Sequence, residues 1–358
     1  MNFSFIKNKD YNIYIGNNIY NYINFFIKKN NYSTIVIITD ENSELYCKPI
    51  LIQKTNIKQY YHIKLQSGEI NKSIDNVIKA WKYMLMNKID RNSLMINLGG
   101  GIITDIGGFI ASTYKRGIDF INIPTTLLAQ VDASIGSKTG INFYNIKNCI
   151  GNFQNPKSVY IDNNFLKSLT CNEILCGFAE MIKHGLIYDK IYYNELQKIN
   201  HIHHDIINDI LIYKSLKIKN EIVEKDINEQ NIRKILNFGH TIGHAIEGLF
   251  LNHNIPISHG HAISIGMICE SYLSYIRNTL LLSDLNSITN LIINKFNCQK
   301  ISELLFNELI NIMHNDKKNH QNKINFTLLN NIGSAKIDMY CEQFEIIDSL
   351  KFYNKKAN

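Results

Sequence analysis

Proline and tryptophan are scarce in this chain of 358 residues, which contains four prolines and one tryptophan. Asparagine, isoleucine and lysine are the most frequent residues in motifs and connecting segments alike, and tyrosine is also common, a bias that we attribute to AT-rich codons. Single Asn-rich or Lys-rich stretches therefore carry little weight as functional signals. The composition, 45% hydrophobic and 19% charged, is typical of a folded globular protein and excludes a disordered one.

No C-x-x-C pair occurs among the seven cysteines, which are odd in number and scattered along the chain. This pattern predicts reduced thiols in a cytoplasmic protein rather than a disulfide framework. No segment approaches the roughly 18 consecutive apolar residues of a membrane span. The N-terminal sequence MNFSFIKNKDYNIYIG is interrupted by polar residues and lacks the apolar region of a signal peptide. We therefore expect neither secretion nor membrane insertion.

Blocks of lysine and arginine, typical of nucleic-acid-binding arms, are also absent. The 38 basic and 31 acidic residues give a net charge of +7 that is spread along the chain. This surplus suits a small acidic substrate, although its sign alone does not distinguish such a substrate from a macromolecular partner. We expect no nucleic-acid or membrane partner.

Strand and helix patterns alternate in the first half of the chain. Helical spacing follows Ser73 and also the glycines at 99–101, whereas buried β-branched runs predict strands. The predicted strands are YNIYIG, STIVIITD, SLMINLGGG and IDFINIPTT, and the predicted helices are SIDNVIKAWKYMLMNK and IITDIGGFIASTYK. This alternation predicts an open, mostly parallel α/β sheet that binds ligands at the carboxyl ends of its strands.

Helical patterns dominate after about residue 165, and a strand pattern returns only at KINFTLL. The predicted helices are EILCGFAEMIKHGLIY, HDIINDILIYKSLKIKNEIVEK, RKILNFGHTIGHAIEGLF and HAISIGMICESYLSYIRNTL. A chain of this length is expected to form two domains, at about 100–200 residues each. We place the boundary near Leu169, with an α/β domain at 1–169 and a helical domain at 170–358.

Three consecutive glycines, Gly99, Gly100 and Gly101, lie between a predicted buried strand and a helix. Backbone can approach a phosphate closely at such a turn, where the helix N-terminus presents amide groups and the positive end of its dipole. Asp40, at the end of an earlier strand, is placed to bind a ribose hydroxyl. The G-x-G-x-x-G fingerprint is absent, so a tight turn that needs glycine for its dihedrals remains an alternative.

Histidines recur near one glutamate in the helical half. His240 and His244 are four residues apart and share a helical face, while His259 and His261 lie at the entry to another helix. With Glu180 in GFAEMIKHG, they suit a zinc site that keeps an open coordination position. The spacing is not H-E-x-x-H, which argues against a metalloprotease. It leaves open whether His240, His244 or both bind the metal, and the group His201, His203 and His204 is interpreted as solvated surface.

Several basic residues lie beside glycines or polar motif residues. Converging cations are what a polyanionic substrate requires, with arginine supplying bidentate contacts. In so lysine-rich a chain, a solvated helix face remains the alternative for each lysine. The candidates are Arg116, Lys138, Lys147, Lys183, Lys219 and Arg233.

Taken together, these motifs resemble the 3-dehydroquinate synthase family over nearly the whole chain, from about Asp40 to Gly333. The segments that carry the resemblance are GGGIITDIGGFIASTYKRGIDFINIPTTLLAQVDASIGSKTGIN, KNCIGNF, GFAEMIKHGLI, RKILNFGHTIGHAIE, SHGHAISIGM and DKK. The resemblance implies a Rossmann-like NAD-binding N-terminal domain, a helical metal- and substrate-binding C-terminal domain, an active site in the cleft, and a homodimer.

The resemblance also implies a role for individual residues. The metal ligands, for zinc or alternatively cobalt, would be Glu180, His240 and His259. The residues around the substrate would be Arg116, Asp132, Lys138, Asn148, Lys183, Lys219, Arg233, Asn237, His244 and Lys318. The NAD-binding positions would be Asp40, Asn42, Glu69, Lys72, Gly100, Gly101, Asp105, Thr125, Thr126, Asp132, Lys138, Lys147, Phe165, Ser168 and Glu173.

The family reaction converts 3-deoxy-D-arabino-heptulosonate 7-phosphate into 3-dehydroquinate and phosphate, the second step of the shikimate pathway. It combines transient oxidation by NAD, phosphate elimination, re-reduction and an intramolecular aldol closure, so that NAD is regenerated in each turnover. By resemblance, Lys138, Asn148 and His244 would bind the phosphate end. Lys183 and Lys219, with Arg233, would bind the carboxylate and hydroxyl side.

Four positions depart from the family pattern. Ser137 replaces a glycine in G-G-K, and His261 replaces the glutamate of H-G-E, where its imidazole is expected to compete for the metal. The segment Leu169-Thr170-Cys171-Asn172-Glu173 lacks the proline and arginine of L-P-x-R-E, and Asn155-Pro156 replaces Q-P.

Three other functions remain open on sequence alone. Another sugar phosphate cyclase would share the NAD, metal and lysine set but use a different substrate. A metal-dependent polyol dehydrogenase would release NADH stoichiometrically and would not need the phosphate-binding lysines. A non-catalytic binding or scaffold protein would have no use for intact Glu180, His240, His259, Lys138 and Lys183.

Overall fold

The structure is a computed structural model that describes residues 4–144, 146–314 and 323–357. Lys318, a predicted substrate-site residue, lies outside the described residues. The described chain forms two compact units: residues up to 174 together with 207–227, and residues 175–206 together with those from 228 onward. Residues 207–227 thus belong to the same compact unit as the N-terminal part of the chain.

The first unit contains the predicted α/β sheet. Its elements are β1 (Ser4–Lys7), β2 (Asn12–Ile15), α1 (Ile19–Asn30), β3 (Thr34–Thr39), α2 (Glu41–Tyr46), α3 (Lys48–Lys54), β4 (Tyr61–Lys64), α4 (Ile74–Met86), β5 (Ser93–Gly99), α5 (Gly101–Thr113), β6 (Asp119–Pro124), β7 (Lys138–Phe143), β8 (Ile146–Phe153) and β9 (Ser158–Ile161). Seven strands form one sheet in the order β1-β2-β9-β6-β5-β3-β4, which is parallel except for the β1–β2 pair.

The inner strand β5 is buried along its whole length, and alternate residues of the sheet pack into cores on its two faces. Met95 belongs to the core that also contains residues of α4 and α5, whereas Ile96 belongs to the core that contains residues of α1. Strands β3, β5 and β6 are direct neighbours. Their carboxyl ends therefore bring Asp40, the glycines at 99–101 and Thr125 to one edge of the sheet.

An antiparallel hairpin, β7–β8, follows the sheet strands and was not among the predicted elements. Its first strand packs on α5, where Gly108 lies so close that a Cβ would be 2.5 Å from Cγ2 of Thr139. This hairpin carries Lys138, Lys147 and Asn148.

The later elements are mostly helical, as predicted. They are α6 (Cys171–Tyr188), α7 (Lys190–Gln197), α8 (Asp209–Lys225), α9 (His240–Asn252), α10 (His259–Ile276), α11 (Leu282–Lys295), α12 (Phe306–His314), β10 (Asn325–Asn331), β11 (Ser334–Tyr340) and α13 (Gln343–Lys356). Helix α8 belongs to the first unit, whereas α9 to α13 belong to the second. The antiparallel pair β10–β11 includes the strand predicted at KINFTLL.

One predicted helix, over residues 233–250, is interrupted. A short 3-10 helix covers Ile232–Asn237, and α9 begins only at His240, because Gly239 adopts a left-handed φ of 77°. Helical spacing on both sides of the break conceals it in the sequence. Among the described residues, no helix combines the length and hydropathy needed to cross a lipid bilayer.

Candidate active site

The glycine turn at 99–101 joins β5 to α5. Gly100 is the N-cap of α5 with a φ of −72°, and neither Gly99 nor Gly101 has a positive φ, so the explanation of these glycines by turn dihedrals is wrong. Space is the reason instead. A Cβ on Gly100 would lie 3.0 Å from Cγ2 of Thr126, and Thr125 donates its amide to Gly99 at 3.0 Å. Gly100 therefore makes room for Thr126 and leaves bare backbone at the N-terminus of α5.

Asp40 is the residue that follows β3 and the N-cap of α2. Its Oδ1 accepts hydrogen bonds from the amide of Ser43 at 2.7 Å and from the hydroxyl of Ser43 at 2.8 Å. The predicted ribose ligand therefore also caps a helix, which gives its carboxylate a fixed orientation. Asn42 lies on the exposed surface of the same short helix.

Lys72 brings several predicted residues of the first unit together. It is 3% exposed, and its Nζ contacts Oδ2 of Asp105 at 2.5 Å and also the side-chain oxygen of Asn148. Burial raises the pKa of Asp105, although the Lys72 ammonium opposes that increase. Residues assigned by resemblance to NAD and to the substrate are thus in direct contact.

Asn142 completes this network and was not predicted from the sequence. Its side-chain amide donates to Oε1 of Glu69 at 2.8 Å, and its side-chain oxygen accepts from the backbone amide of Asn148 at 2.9 Å. Its backbone amide donates to the carbonyl of Lys72 at 2.8 Å. The side chain therefore ties Glu69 to the hairpin β7–β8. Its position in the motif T-G-I-N, beside Lys138, was the available signal.

Asp132 and Lys219 are paired, although 87 residues separate them. Asp132 lies in the π-helical turn Ala129–Ala133, and Lys219 projects from α8. The Lys219 ammonium is 2.9 Å from Oδ1 of Asp132 and donates to its carbonyl at 2.5 Å. Because Lys219 is only 6% exposed, this pair holds a buried cation in place.

The remaining predicted residues of the first unit lie on separate elements. Arg116 is exposed at the end of a 3-10 turn after α5, and Lys138 and Lys147 are exposed on β7 and β8. The hydroxyl of Ser168 donates to the carbonyl of the buried Phe165 at 2.9 Å, and Glu173 accepts from the amide of Thr170 at 2.9 Å. The last contact forms a cap for α6 without the proline that is usual in the family.

A buried carboxylate and two imidazoles form the candidate metal centre of the second unit. Glu180 on α6 is 1% exposed, and its Oε1 lies 3.5 Å from Nε2 of His240 and 3.4 Å from Nε2 of His259. One ligand atom from each of the three residues lies within 4.8 Å of the other two. A glutamate oxygen and two imidazole nitrogens form a donor set that zinc accepts.

Each imidazole has a partner on its other nitrogen. Nδ1 of His240 donates to the carbonyl of Phe238 at 3.0 Å. When the ring is neutral, Nε2 therefore carries a lone pair, and this nitrogen faces Glu180. Nδ1 of His259 lies 3.4 Å from Oε2 of Glu247. Such partners orient metal-binding histidines and raise their basicity. Glu247, three residues after His244 on the same helix face, was detectable from that spacing.

His244 lies beside this cluster. Its ring centre is 5.1 Å from that of His240, which confirms that both side chains project from one face of α9. A second set of donor atoms, from His244, Glu247 and His259, also lies within 4.8 Å. This set is more exposed than the one around Glu180, so the assignment of His240 rather than His244 as a ligand continues to rest on the family resemblance.

The cluster contains several charged groups. Burial disfavours the protonated form of His259, but hydrogen bonds and charge from Glu180 and Glu247 outweigh it and raise the pKa of His259 to about 10. The ammonium of Lys183, itself 2% exposed, forms an ion pair with Oε2 of Glu180. Protonated groups therefore compensate the two carboxylates where a metal cation would do so.

His261 takes no part in this cluster, contrary to the expectation that it competes for the metal. Its Nδ1 lies 2.7 Å from the hydroxyl of Ser258, the N-cap of α10, and its ring packs edge-on against Phe296. None of the donor groups found among the described residues includes it. Between the two histidines, Gly260 allows α10 to approach α6, because a Cβ there would lie 2.4 Å from Cα of Cys176.

Arg233 and Asn237 lie together on the 3-10 helix before α9. Arg233 is 2% exposed, and Asn237 donates its side-chain amide to Oε1 of Glu229 at 3.1 Å. Asn237 also lines a cavity of about 280 Å³ with residues of β10 and β11. In the separate group near residue 203, Nδ1 of His203 and Nε2 of His204 each lie 3.0 Å from a carboxylate oxygen of the exposed Asp205, which agrees with the interpretation of this group as surface.

Comparison with known proteins places the chain in a family. Family models described as 3-dehydroquinate synthase N-terminal and C-terminal match residues 62–176 and 177–319, respectively. The 3-dehydroquinate synthase of Parabacteroides distasonis is 38% identical over 335 residues, which cover 92% of this chain and 94% of that relative.

Two solved structures share the fold. A 2-deoxy-scyllo-inosose synthase, complexed with carbaglucose-6-phosphate, NAD⁺ and Co²⁺, has a TM-score of 0.84 at 20% identity and covers 98% of this chain and 99% of its own. A 2-epi-5-epi-valiolone synthase of Streptomyces hygroscopicus with NAD⁺ and Zn²⁺ has a TM-score of 0.79 at 21% identity, with 98% of each chain covered. These similarities support the predicted α/β and helical architecture over 98% of the chain. The family models cover more than half of the chain, and the relative that is 38% identical carries the same description as these models. The chain therefore belongs to the 3-dehydroquinate synthase family.

Proposed function

We propose that the chain catalyses the conversion of 3-deoxy-D-arabino-heptulosonate 7-phosphate to 3-dehydroquinate and phosphate, as an NAD- and metal-dependent carbon–oxygen lyase. The observation that carries the proposal is the buried carboxylate of Glu180 between His240 and His259. The 38% identity to a 3-dehydroquinate synthase over 92% of the chain favours this substrate over those of other sugar phosphate cyclases.

The donor set fits a divalent metal. Glu180, His240 and His259 would hold zinc or cobalt, since their ligand atoms converge and both imidazoles have orienting partners. NAD would be held by the turn at Gly100 and Gly101 and by the other NAD positions implied by the resemblance. When bound, the metal supplies Lewis-acid polarisation of a substrate hydroxyl, and NAD accepts and returns a hydride.

The chain's own residues bind and orient the substrate. In this proposal Lys138, Asn148 and His244 bind the phosphate end. The cations Lys183, Lys219 and Arg233 bind the carboxylate and hydroxyl side, with Arg116, Asn237 and Lys318 around them. Asp132 holds Lys219 in position through an ion pair with its buried ammonium. The phosphate group itself would accept the proton removed during its elimination and leave with it.

We also propose a cytoplasmic location and a homodimeric assembly. All seven cysteines are free thiols, which suits the reducing cytoplasm. A homodimer, and an NAD-binding domain at 1–169 followed by a metal- and substrate-binding domain at 170–358, follow from the family resemblance.

The decisive experiment incubates the zinc-loaded protein with the heptulosonate phosphate and less than one equivalent of NAD. Release of many phosphates per NAD, without lasting NADH absorbance, is the expected result. NADH that accumulates without phosphate would identify a dehydrogenase, and turnover only with another sugar phosphate would identify a different cyclase. Glu180→Gln should abolish zinc binding and phosphate release. Glu308→Gln, which alters an exposed pair with His253, should retain both.

A further inference from the structure

The two histidines of the candidate metal centre occupy the same position in their helices. His240 is the first residue of α9, and His259 is the first residue of α10. The position of each imidazole therefore depends on how the chain enters its helix. A group that holds the first turn of α9 also determines where Nε2 of His240 lies.

Glu270 is a fully buried carboxylate on α10 that reaches the start of α9. Its Oε2 accepts a hydrogen bond from the amide of Gly239 at 2.6 Å, and its Oε1 accepts one from the amide of Ile242 at 3.2 Å. Gly239 is the N-cap of α9 and has no side chain with which to accept from the amide of Ile242, the third residue of the helix, and Ile242 has no polar side chain to accept from the amide of Gly239. Glu270 thus replaces the missing N-cap side chain from a neighbouring helix, where the helix dipole favours its negative charge.

Close packing holds this contact in place. A Cβ on Gly266, one turn before Glu270, would lie only 2.0 Å from the carbonyl oxygen of Gly239. A Cβ on Gly239 would lie 2.6 Å from Cγ of Met267. The backbone of α10 therefore lies against the segment that precedes α9, within reach of the glutamate.

One peptide group connects Glu270 to the metal centre. The amide of Gly239 and the carbonyl of Phe238 belong to the same planar unit. Glu270 accepts from its N–H, while its carbonyl accepts from Nδ1 of His240 at 3.0 Å. Fixing one end of a rigid plane fixes the other, and so the buried carboxylate restrains the acceptor that orients the imidazole.

We propose that Glu270 is a positioning residue for the metal centre, which acts through the Phe238–Gly239 peptide on His240. This inference rests on the proposed metal site of Glu180, His240 and His259. Glu345 serves as a control: it is also a buried glutamate and accepts the amide of Glu342 at 2.7 Å at the start of α13, a helix without a proposed ligand, and it pairs in addition with Arg277 at 2.5 Å.

The test compares Glu270→Gln with Glu345→Gln in the full-length protein, using Co²⁺ as the probe. Glutamine has nearly the same shape as glutamate, but its NH2 group would face one of the two backbone N–H groups and cannot accept a hydrogen bond from it. Both variants should lose stability in urea unfolding. Only Glu270→Gln should raise the Co²⁺ dissociation constant by about tenfold or more and alter the visible absorption bands of bound Co²⁺.

The outcomes distinguish failure of the proposed role of Glu270 from failure of the proposed metal site. Equal Co²⁺ affinity and spectra in the two variants, with normal binding by the unaltered chain, would overturn the role of Glu270 alone. If Glu270→Gln does not fold, Glu270→Asp replaces it, since the shorter carboxylate cannot span both amides and should weaken Co²⁺ binding likewise. Failure of the unaltered chain to bind Co²⁺, or undiminished binding by Glu180→Gln, would instead refute the proposed metal site.

Discussion

The ammonium of Lys183 forms an ion pair with Oε2 of Glu180, one turn earlier on α6, and both side chains are almost completely buried. The other oxygen of the same carboxylate faces the two imidazoles of the candidate metal centre. A buried charge that loses its partner is costly, because little water is available to solvate it. Lysine and metal should therefore both stabilise this carboxylate.

Replacing Lys183 by methionine should lower the free energy of unfolding of the metal-free protein by about 3 kcal/mol. Added zinc should recover more stability in this variant than in the unaltered protein, since the metal would neutralise the uncompensated Glu180. Urea unfolding with and without zinc measures both effects. Lys234→Met is the control, because the Lys234–Asp338 pair is partly exposed and its loss should cost less than about 1 kcal/mol. Equal losses in both variants would contradict the prediction.

The raised pKa of His259 predicts how the metal-free protein responds to pH. Its folded-state pKa of about 10 exceeds the value of about 6.5 expected in the unfolded chain. The resulting stabilisation is fully present below about pH 6.5 and is lost as the pH rises through about 10. Urea unfolding between these limits should show falling stability. Glu247→Gln should flatten the dependence, and a slope as steep in that variant would count against the assigned cause.

Ser137, where the family has glycine, adopts a left-handed φ of 63° and donates its hydroxyl to the preceding carbonyl at 2.6 Å. Non-glycine residues pay roughly 1–2 kcal/mol there, more than glycine loses in chain entropy. Ser137→Gly should therefore stabilise the protein by about 0.5 kcal/mol in urea unfolding. Ser158 makes the same contact at 2.6 Å in β9 without a positive φ, and Ser158→Gly should be destabilising. Changes of the same sign would refute this account.

Asp40 combines a helix cap with a proposed contact to the NAD ribose, and one substitution separates these roles. Asp40→Asn should preserve the cap of α2 and the melting temperature, because asparagine caps as well as aspartate. Loss of the charged hydrogen bond should raise the NAD dissociation constant by about tenfold. Asp189 caps α7 in the same way, and calorimetry should show no change in NAD affinity for Asp189→Asn. Equal affinities for the two variants would exclude the ribose contact.

Local sequence patterns are sufficient to predict much of the fold. The buried β-branched runs become β3, β5 and β6, and the alternation with helices places Asp40 and the glycine turn at adjacent strand ends, as parallel pairing requires. Spacing by four residues likewise puts His240 and His244 on one face of α9. In each case the signal and the structure span only a few residues.

Contacts between distant residues are decided by the tertiary structure alone. The amide of Gly239, at the break before α9, donates to Glu270, which lies 31 residues later, and the pairing of Asp132 with Lys219 spans 87 residues. His261 has the chemistry of a ligand, yet it packs against Ser258 and Phe296. The sequence by itself determined the strands, helices and types of chemical group, because these follow from local periodicity. Which groups meet, and which nitrogen of each imidazole faces Glu180, was decided by packing between elements that no local pattern encodes.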